Sequence, residues 1–165
     1  VKLALVGDIG GTNARFALWK DQQLASVEVL ATADCACPED AIGVYLKGLG
    51  LAPGAIGSVC LSVAGPVSGD EFKFTNNHWR LSRQAFCQTL QVEQLLLVND
   101  FSAMALGMTR LQPGEFRVVC EGTPEPLRPA VVIGPGTGLG VGTLLNFGDG
   151  RYMALPGEGG MSTCP

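Results

Sequence analysis

The chain has 165 residues, of which 47% are hydrophobic and 16% are charged, and its net charge at pH 7 is −4. This composition excludes intrinsic disorder, which needs low hydrophobicity and high charge, and a chain of this length can bury a substantial core. Because the basic residues form no cluster, we expect no nucleic-acid partner.

The cysteines stand at positions 35, 37, 60, 87, 120 and 164 and form no Cys-x-x-Cys pair. With His78 as the single histidine, this spacing does not favour a zinc site, and we expect reduced thiols in a cytoplasmic protein.

Residues 48–69 and 129–148 lack charge over the length of a membrane span. The glycines and the proline of the second stretch favour two strands joined by a loop, so we expect no membrane helix.

The chain begins with three predicted strands, Leu3–Asp8, Arg15–Trp19 and Ser26–Leu30. A helix is predicted over Pro38–Gly48, because proline suits a first turn, acidic residues follow it, and apolar residues recur on one face. The next strand, Ile56–Ala64, is rich in Val and Leu, which predicts burial on both faces.

The remaining predicted elements are a short strand, a capped helix, a buried strand, a helix and three strands: Phe72–Thr75, Ser82–Leu90, Gln94–Val98, Phe101–Leu111, Phe116–Cys120, Ala130–Ile133 and Leu139–Leu145. Strands first and β-α-β alternation afterwards predict an α/β fold with a mixed β-sheet and flanking helices. In open α/β sheets ligands bind at strand ends, and the polar motifs of this chain fall there.

The most informative segment is residues 6–18, VGDIGGTNARFAL, which predicts a strand, a tight glycine turn and a second strand. Gly10 and Gly11 allow backbone N–H groups to approach a phosphate closely, because no Cβ intervenes. Asp8, at the end of the first strand, can orient a hydrated Mg²⁺. A hairpin with a Gly-Gly turn is the alternative, but it does not explain the polar residues that crowd this turn.

A second polar pair, Asn99 and Asp100, follows the apolar run 95–98 and precedes a predicted helix. An aspartate at this position can simply cap the helix. It can also act as a base at the mouth of a crevice, with Asn99 binding a hydroxyl, if it lies within hydrogen-bond reach of the O–H group. The sequence leaves both roles open.

Three further loops carry weaker signals. The segment 134–140 is a second glycine turn that could contact a sugar or a phosphate, or form a plain hairpin. The segment 155–160, LPGEGG, places Glu158 among glycines, where a carboxylate is usually just solvated. The segment 75–79, TNNHW, offers amide groups to a polyol, although a capped turn explains it equally well.

In this order, five segments together resemble the bacterial glucokinase family: DIGGTNAR at 8–15, TN at 75–76, NDF at 99–101, GTGLG at 136–140 and LPGEGG at 155–160. The resemblance extends to about Gly160. It implies the ribonuclease H-like fold of the actin-like ATPases and sugar kinases, and ATP-dependent phosphorylation of D-glucose at its 6-hydroxyl with Mg²⁺.

The resemblance also implies roles for individual residues. The ATP and phosphate site would contain Asp8, Gly10, Gly11, Thr12 and Asn13, with Asp8 near the Mg²⁺. The sugar site would contain Asn76, Asn99, Asp100, Thr137, Gly138 and Glu158. Asp100 would be the general base, and Asn99 and Glu158 would bind sugar hydroxyls.

The sequence departs from the family in two respects. Met161 stands where the family has a sugar-contacting histidine, and a thioether is a poor partner for a hydroxyl. The family chain is about twice as long, which implies that residues 1–110 form a small N-terminal lobe and residues 111–165 begin the second lobe. We therefore expect a full-length homodimeric parent and an isolated chain that is inactive. A kinase for another hexose and a non-catalytic sugar-binding module remain alternatives.

Overall fold

The computed structural model describes residues 3–135 and 138–159. They fold as two compact units, Val1–Asp100 and Phe101–Pro165. The predicted domain boundary at residue 110 stays a prediction. Among the described residues, no helix has both the length and the apolar character needed to cross a bilayer.

In its described residues the first unit contains seven strands and two α-helices in chain order. They are β1 (Leu3–Ile9), β2 (Asn13–Lys20), β3 (Gln23–Ala31), α1 (Pro38–Gly48), β4 (Ile56–Val63), β5 (Glu71–Lys73), β6 (Arg80–Ser82), α2 (Arg83–Leu90) and β7 (Gln94–Asn99). Five strands form one sheet in the order β3-β2-β1-β4-β7, and β5 pairs with β6. Strands β1, β4 and β7 are parallel, whereas β2 and β3 run antiparallel to their neighbours, so the predicted mixed sheet is confirmed.

The core of this unit lies between the sheet and the two helices. Its largest fully buried side chains include Phe16 of β2, Tyr45 of α1, Phe86 of α2 and Trp79. In β4 the buried residues alternate with half-buried ones, so the expected burial on both faces is wrong. One face of this strand packs against the core, and the other belongs to the more open side of the sheet.

Helix α1 has the predicted bounds because several local signals agree. Pro38 lies in its first turn, where the missing N–H group costs nothing, and acidic residues follow at its N-terminal end. Ile42, Tyr45 and Leu46 recur on one face and are buried. The Tyr45 hydroxyl donates to the Ser26 carbonyl at 2.8 Å, which ties the helix to β3.

The second unit begins within α3 (Asp100–Gly107), which is followed by a 3₁₀ turn, and contains an antiparallel sheet of β8 (Ala130–Pro135), β9 (Leu139–Asn146) and β10 (Tyr152–Glu158). Its small core contains Ala105, Val132 and Leu144. At Gly142 a Cβ atom would lie 2.5 Å from the Phe101 carbonyl oxygen, so a residue without a side chain is required where α3 crosses β9.

Two predictions of secondary structure in this unit are wrong. Residues 116–120 form no strand, and Val119 in that segment is 95% exposed. A strand needs a hydrogen-bonded neighbour, and this segment has none among the described residues. Conversely, β10 includes Pro156 and Gly157, which predicted a loop; as an edge strand it pairs only with β9, and an edge position tolerates proline.

We predict opposite effects of alanine at two glycines of the first unit. At Gly7 a Cβ would lie 2.8 Å from Leu61 Cδ2 and 2.9 Å from Phe16 Cδ1, so Gly7→Ala should lower the free energy of unfolding by about 1–3 kcal/mol. At Gly43, within α1, a Cβ would meet no atom within 4 Å, so Gly43→Ala should raise it by about 0.5–1 kcal/mol. Urea unfolding of the three chains measures both changes, and equal destabilisation by the two substitutions would contradict this packing.

Candidate functional site

The parallel strands of the first unit bring the predicted site residues to one edge of the sheet. Asp8 is in register with Ser62 of β4, and Ser62 with Val98 of β7. Because neighbouring strands are about 4.8 Å apart, the backbones of Asp8 and Val98 lie roughly 10 Å from each other. Asn99 and Asp100 follow directly at the end of β7. The glycine turn, which follows β1, and the candidate base Asp100 therefore share the carboxyl edge of this sheet.

The glycine turn joins β1 to β2 and is closed by a hydrogen bond from the Gly10 N–H to the Asn13 carbonyl at 2.9 Å. Its glycines are needed for close approach rather than for an unusual backbone conformation. At Gly11 a Cβ would lie 2.8 Å from the Asn76 carbonyl oxygen and 3.2 Å from Asn76 Cβ. The structure thus brings Asn76 against the glycine turn. The predicted role of Asn76 in sugar binding stays a prediction.

The loop that carries Asn76 is held rigidly by its neighbours. The Asn77 side-chain amide donates to the Gly10 carbonyl at 3.0 Å, while its Oδ1 accepts from the Trp79 N–H at 2.9 Å. The Trp79 side chain is fully buried, and its indole N–H donates to the Cys35 carbonyl at 3.0 Å. His78 Nε2 lies 3.0 Å from the same carbonyl, which requires a protonated Nε2 for a hydrogen bond.

A residue that sequence reasoning missed, Thr32, completes the surroundings of the turn. It follows β3 and is only 3% exposed. Its hydroxyl donates to the Gly11 carbonyl at 2.8 Å, and its backbone N–H donates to the Thr12 carbonyl at 2.9 Å. No motif marks this position, and the only signal in the sequence is a polar residue directly after a strand.

Asp8 forms an ion pair with Arg15, which stands opposite it on β2 with 3.2 Å between Oδ2 and the guanidinium nitrogen. Both side chains are more than half exposed, so the pair adds less than about 1 kcal/mol to stability. The carboxylate remains reachable from solvent.

Among the described residues, no three metal-ligating side chains cluster. A single carboxylate nevertheless suits Mg²⁺, which retains several waters and takes other oxygens from phosphate.

Asn99 and Asp100 mark the transition from β7 to α3. The Asn99 side-chain amide donates to the Gly65 carbonyl at 3.3 Å, which links β7 to the loop after β4. Asp100 is the first residue of α3 and is partly exposed. This position is compatible both with helix capping and with the predicted role as a base, because the carboxylate lies at the rim of the sheet rather than inside the core.

Three predicted sugar-site residues belong to the second unit. Gly138 directly precedes β9, and Glu158 ends β10 in register with Gly140. The Glu158 side chain, Thr137 and Met161 lie outside what the structure describes. The predicted roles of these residues stay predictions.

The segment beside Thr32 carries two thiols in an acidic environment. Burial raises the pKa of Cys37 to about 11; a hydrogen bond from the Asp40 backbone partly offsets this rise, and the Glu39 carboxylate adds to it. Burial and the charges of Asp40 and Asp34 raise the pKa of Cys35. The cysteines in the described part of the chain are all free thiols. Cys37 is thus expected to be protonated at neutral pH.

Comparison with known proteins gives consistent results. The family model for glucokinase matches residues 5–165. The chain is 54% identical over 163 residues to the glucokinase of Pseudomonas aeruginosa (strain LESB58), which covers 99% of this chain and 49% of that protein. It is 42% identical over 159 residues to the glucokinase of Marinobacter nauticus, covering 95% of this chain and 49% of that protein. The chain thus spans about half the length of these curated relatives.

Solved structures show the same fold. A glucokinase from an Antarctic psychrotroph superposes with a TM-score of 0.80 at 32% identity, over 97% of this chain and 51% of that chain. A ROK family glucokinase from Streptomyces griseus, solved with glucose and AMPPNP, superposes with a TM-score of 0.60 at 22% identity, over 93% and 48% of the two chains. These likenesses confirm the predicted ribonuclease H-like fold of the actin-like ATPases.

We predict that Cys37 is alkylated slowly and with a steep dependence on pH. A thiol with a pKa of about 11 is only about 0.1% thiolate at pH 8, so its rate with iodoacetamide should rise about tenfold per pH unit from pH 8 to 10. Mass spectrometry of a Cys35→Ser variant follows this thiol alone, with the exposed Cys120 as the internal reference. In urea the difference in alkylation rate between Cys37 and Cys120 should vanish. A rate in the folded protein that levels off near pH 9 would contradict the burial of this thiol.

Proposed function

The chain belongs to the glucokinase family, and from this membership we propose that the full-length protein transfers the γ-phosphoryl group of ATP to the 6-hydroxyl of D-glucose. The observation that carries the proposal is the family match over residues 5–165, together with the placement of Asp8 and Asn99 at one edge of the sheet. The activity is proposed for the full-length protein, because this chain spans about half of its curated relatives.

Asp100 is the proposed general base. It begins α3 directly after β7 and is partly exposed, so a hydroxyl of a bound sugar could reach its carboxylate. By accepting the proton of the 6-hydroxyl as that oxygen attacks the γ-phosphorus, it makes the oxygen a better nucleophile. Asn99, fixed through Gly65, would orient a neighbouring hydroxyl. Glu158 and Asn76 would bind further hydroxyls, as would Thr137 and Gly138 in the second glycine turn.

The glycine turn is the proposed phosphate site. Phosphoryl transfer depends on positioning and on neutralising the charge that spreads over the phosphoryl oxygens. The turn of Gly10, Gly11, Thr12 and Asn13 lies at the end of β1, and its Gly11 and Thr12 N–H groups would bind the phosphoryl oxygens, because the Gly10 N–H already donates to the Asn13 carbonyl. Bound Mg²⁺ would supply positive charge to the phosphates, and Asp8 would hold its water shell.

The cellular setting belongs to the same proposal. From the family membership we expect a homodimer, and we expect no membrane partner. We expect no nucleic-acid partner, because the chain is acidic overall and its basic residues form no cluster. A cytoplasmic location agrees with the free thiols of the described cysteines, because a reducing compartment preserves thiols. A kinase for another hexose is separated from this proposal by kcat/KM over a panel of hexoses.

We predict that Asp100→Asn in the full-length protein lowers kcat about 10²- to 10⁴-fold, the usual contribution of a general base. The amide retains the size and much of the hydrogen bonding of the carboxylate, so glucose affinity measured by calorimetry should stay nearly unchanged. Asp21→Asn serves as the matched control. It removes one aspartate charge directly after β2, at the end of that strand away from the glycine turn. Unchanged turnover in Asp100→Asn would contradict the role of a base. Lost glucose affinity with normal kcat would indicate a binding residue.

We predict that the 165-residue chain alone forms no glucose 6-phosphate. A transition state of this kind needs phosphate, Mg²⁺ and sugar held from several sides with water excluded, and the chain supplies about half of a relative's residues. A coupled assay should register formation only with the full-length protein, at matched protein concentration. Formation by the isolated chain above a no-protein control would overturn this expectation.

A further inference from the structure

Three consecutive carbonyl groups of the glycine turn accept hydrogen bonds from outside the turn. The Gly10 carbonyl accepts from the Asn77 side-chain amide at 3.0 Å. The Gly11 carbonyl accepts from the Thr32 hydroxyl at 2.8 Å, and the Thr12 carbonyl accepts from the Thr32 N–H at 2.9 Å. The turn is therefore held from two sides by residues that are far from it in the sequence.

These bonds fix the directions of the N–H groups as well. In a trans peptide the C=O and the following N–H point in opposite directions from one rigid plane, and the described chain has no cis peptide bond. Holding the carbonyls of Gly10 and Gly11 thus aims the N–H groups of Gly11 and Thr12 away from Asn77 and Thr32. Within the described residues, neither of these two N–H groups has a hydrogen-bond acceptor.

The two holding residues are themselves rigid. Asn77 is fixed by the Trp79 N–H, and the indole of the fully buried Trp79 donates to the Cys35 carbonyl. The Cys35 N–H donates in turn to the Thr32 carbonyl at 3.4 Å. Asn77 and Thr32 are thereby joined through Cys35 into one hydrogen-bonded network behind the turn.

We propose that Thr32 and Asn77 are positioning residues for phosphoryl transfer: they hold the glycine turn so that the N–H groups of Gly11 and Thr12 face the phosphate of the nucleotide. This role rests on the proposed kinase function and adds two residues outside its motifs. Neither side chain is expected to touch a substrate. Both act through the turn, whose preorganised donors then need no reorientation as charge develops on the phosphate.

Substitutions of Thr32 in the full-length protein test this role. Thr32→Val keeps the shape and the backbone N–H bond but removes the hydroxyl, so the Gly11 carbonyl loses its partner. We expect kcat/KM for ATP to fall about tenfold, because the loss of one hydrogen bond lets the N–H groups of the turn shift from their positions. KM for glucose should change less than about twofold. Thr32→Ser restores the hydroxyl and should recover most of the loss.

Asn77→Ala removes the hydrogen bond to the Gly10 carbonyl at a less buried position than Thr32. This variant tests the proposal if Thr32→Val does not fold. Ser82→Ala is the matched control, because it deletes side-chain hydrogen bonds far from the turn: the Ser82 hydroxyl donates to Asp70 Oδ2 at 2.7 Å and accepts from the Ala85 N–H at 3.2 Å, at the start of α2. It should lower the melting temperature without changing kcat/KM for ATP. Normal kcat/KM for ATP in both Thr32→Val and Asn77→Ala, with melting temperatures lowered as in Ser82→Ala, would show a merely structural role and overturn the proposal.

A binding measurement separates this role from the proposed activity. In full-length protein labelled with ¹⁵N-glycine and ¹⁵N-threonine, a non-hydrolysable ATP analogue should shift the amide resonances of Gly11 and Thr12, and Thr32→Val should weaken its binding about tenfold. If the wild-type protein shows these shifts but phosphorylates no hexose, the proposed function fails and the positioning role stands. Absence of the shifts in the wild type would overturn the positioning role.

Discussion

The contact between the backbones of Gly11 and Asn76 is the constraint on which the site of the first unit depends. A Cβ at position 11 would lie 2.8 Å from the Asn76 carbonyl oxygen, so only glycine permits this approach. The contact brings the loop after β5 against the turn after β1, and Asn77 can then reach the Gly10 carbonyl. The glycine proposed to open the turn to a phosphate thus also lets the protein hold the turn from behind.

The sheet supplies the second requirement, which is the placement of the turn beside the candidate base. Strands β1, β4 and β7 are parallel and in register near their ends, so Asp8 and Asn99 lie at one edge although 91 positions separate them in the chain. The buried residues of β4, such as Val59 and Leu61, fix this register because a slip by one residue would turn them out of the core. Core packing thus sets the spacing of the site.

The sequence predicted the parts of this arrangement that local chemistry determines. Helix α1 has its predicted bounds because proline, acidic residues and an apolar face agree. The strand predicted at 116–120 is absent, because β-branched residues such as Val118 and Val119 favour a strand only when another strand pairs with them. Thr32 escaped prediction, and Asn77 was noted only as part of the segment 75–79, because the carbonyl groups they bind become neighbours only after the sheet has formed.

The electrostatics of the turn favour a site that can exchange its charges. Asp8 and Arg15 neutralise each other across β1 and β2, but both are more than half exposed, so separating them costs less than about 1 kcal/mol. In the proposed function, a hydrated divalent cation would replace the guanidinium beside the carboxylate. The positions that must not move are the backbone carbonyls of Gly10, Gly11 and Thr12, and these are the groups held by well-directed hydrogen bonds. The site thus combines a backbone held by hydrogen bonds with weakly paired side-chain charges, as the proposed binding and release of a phosphate would require.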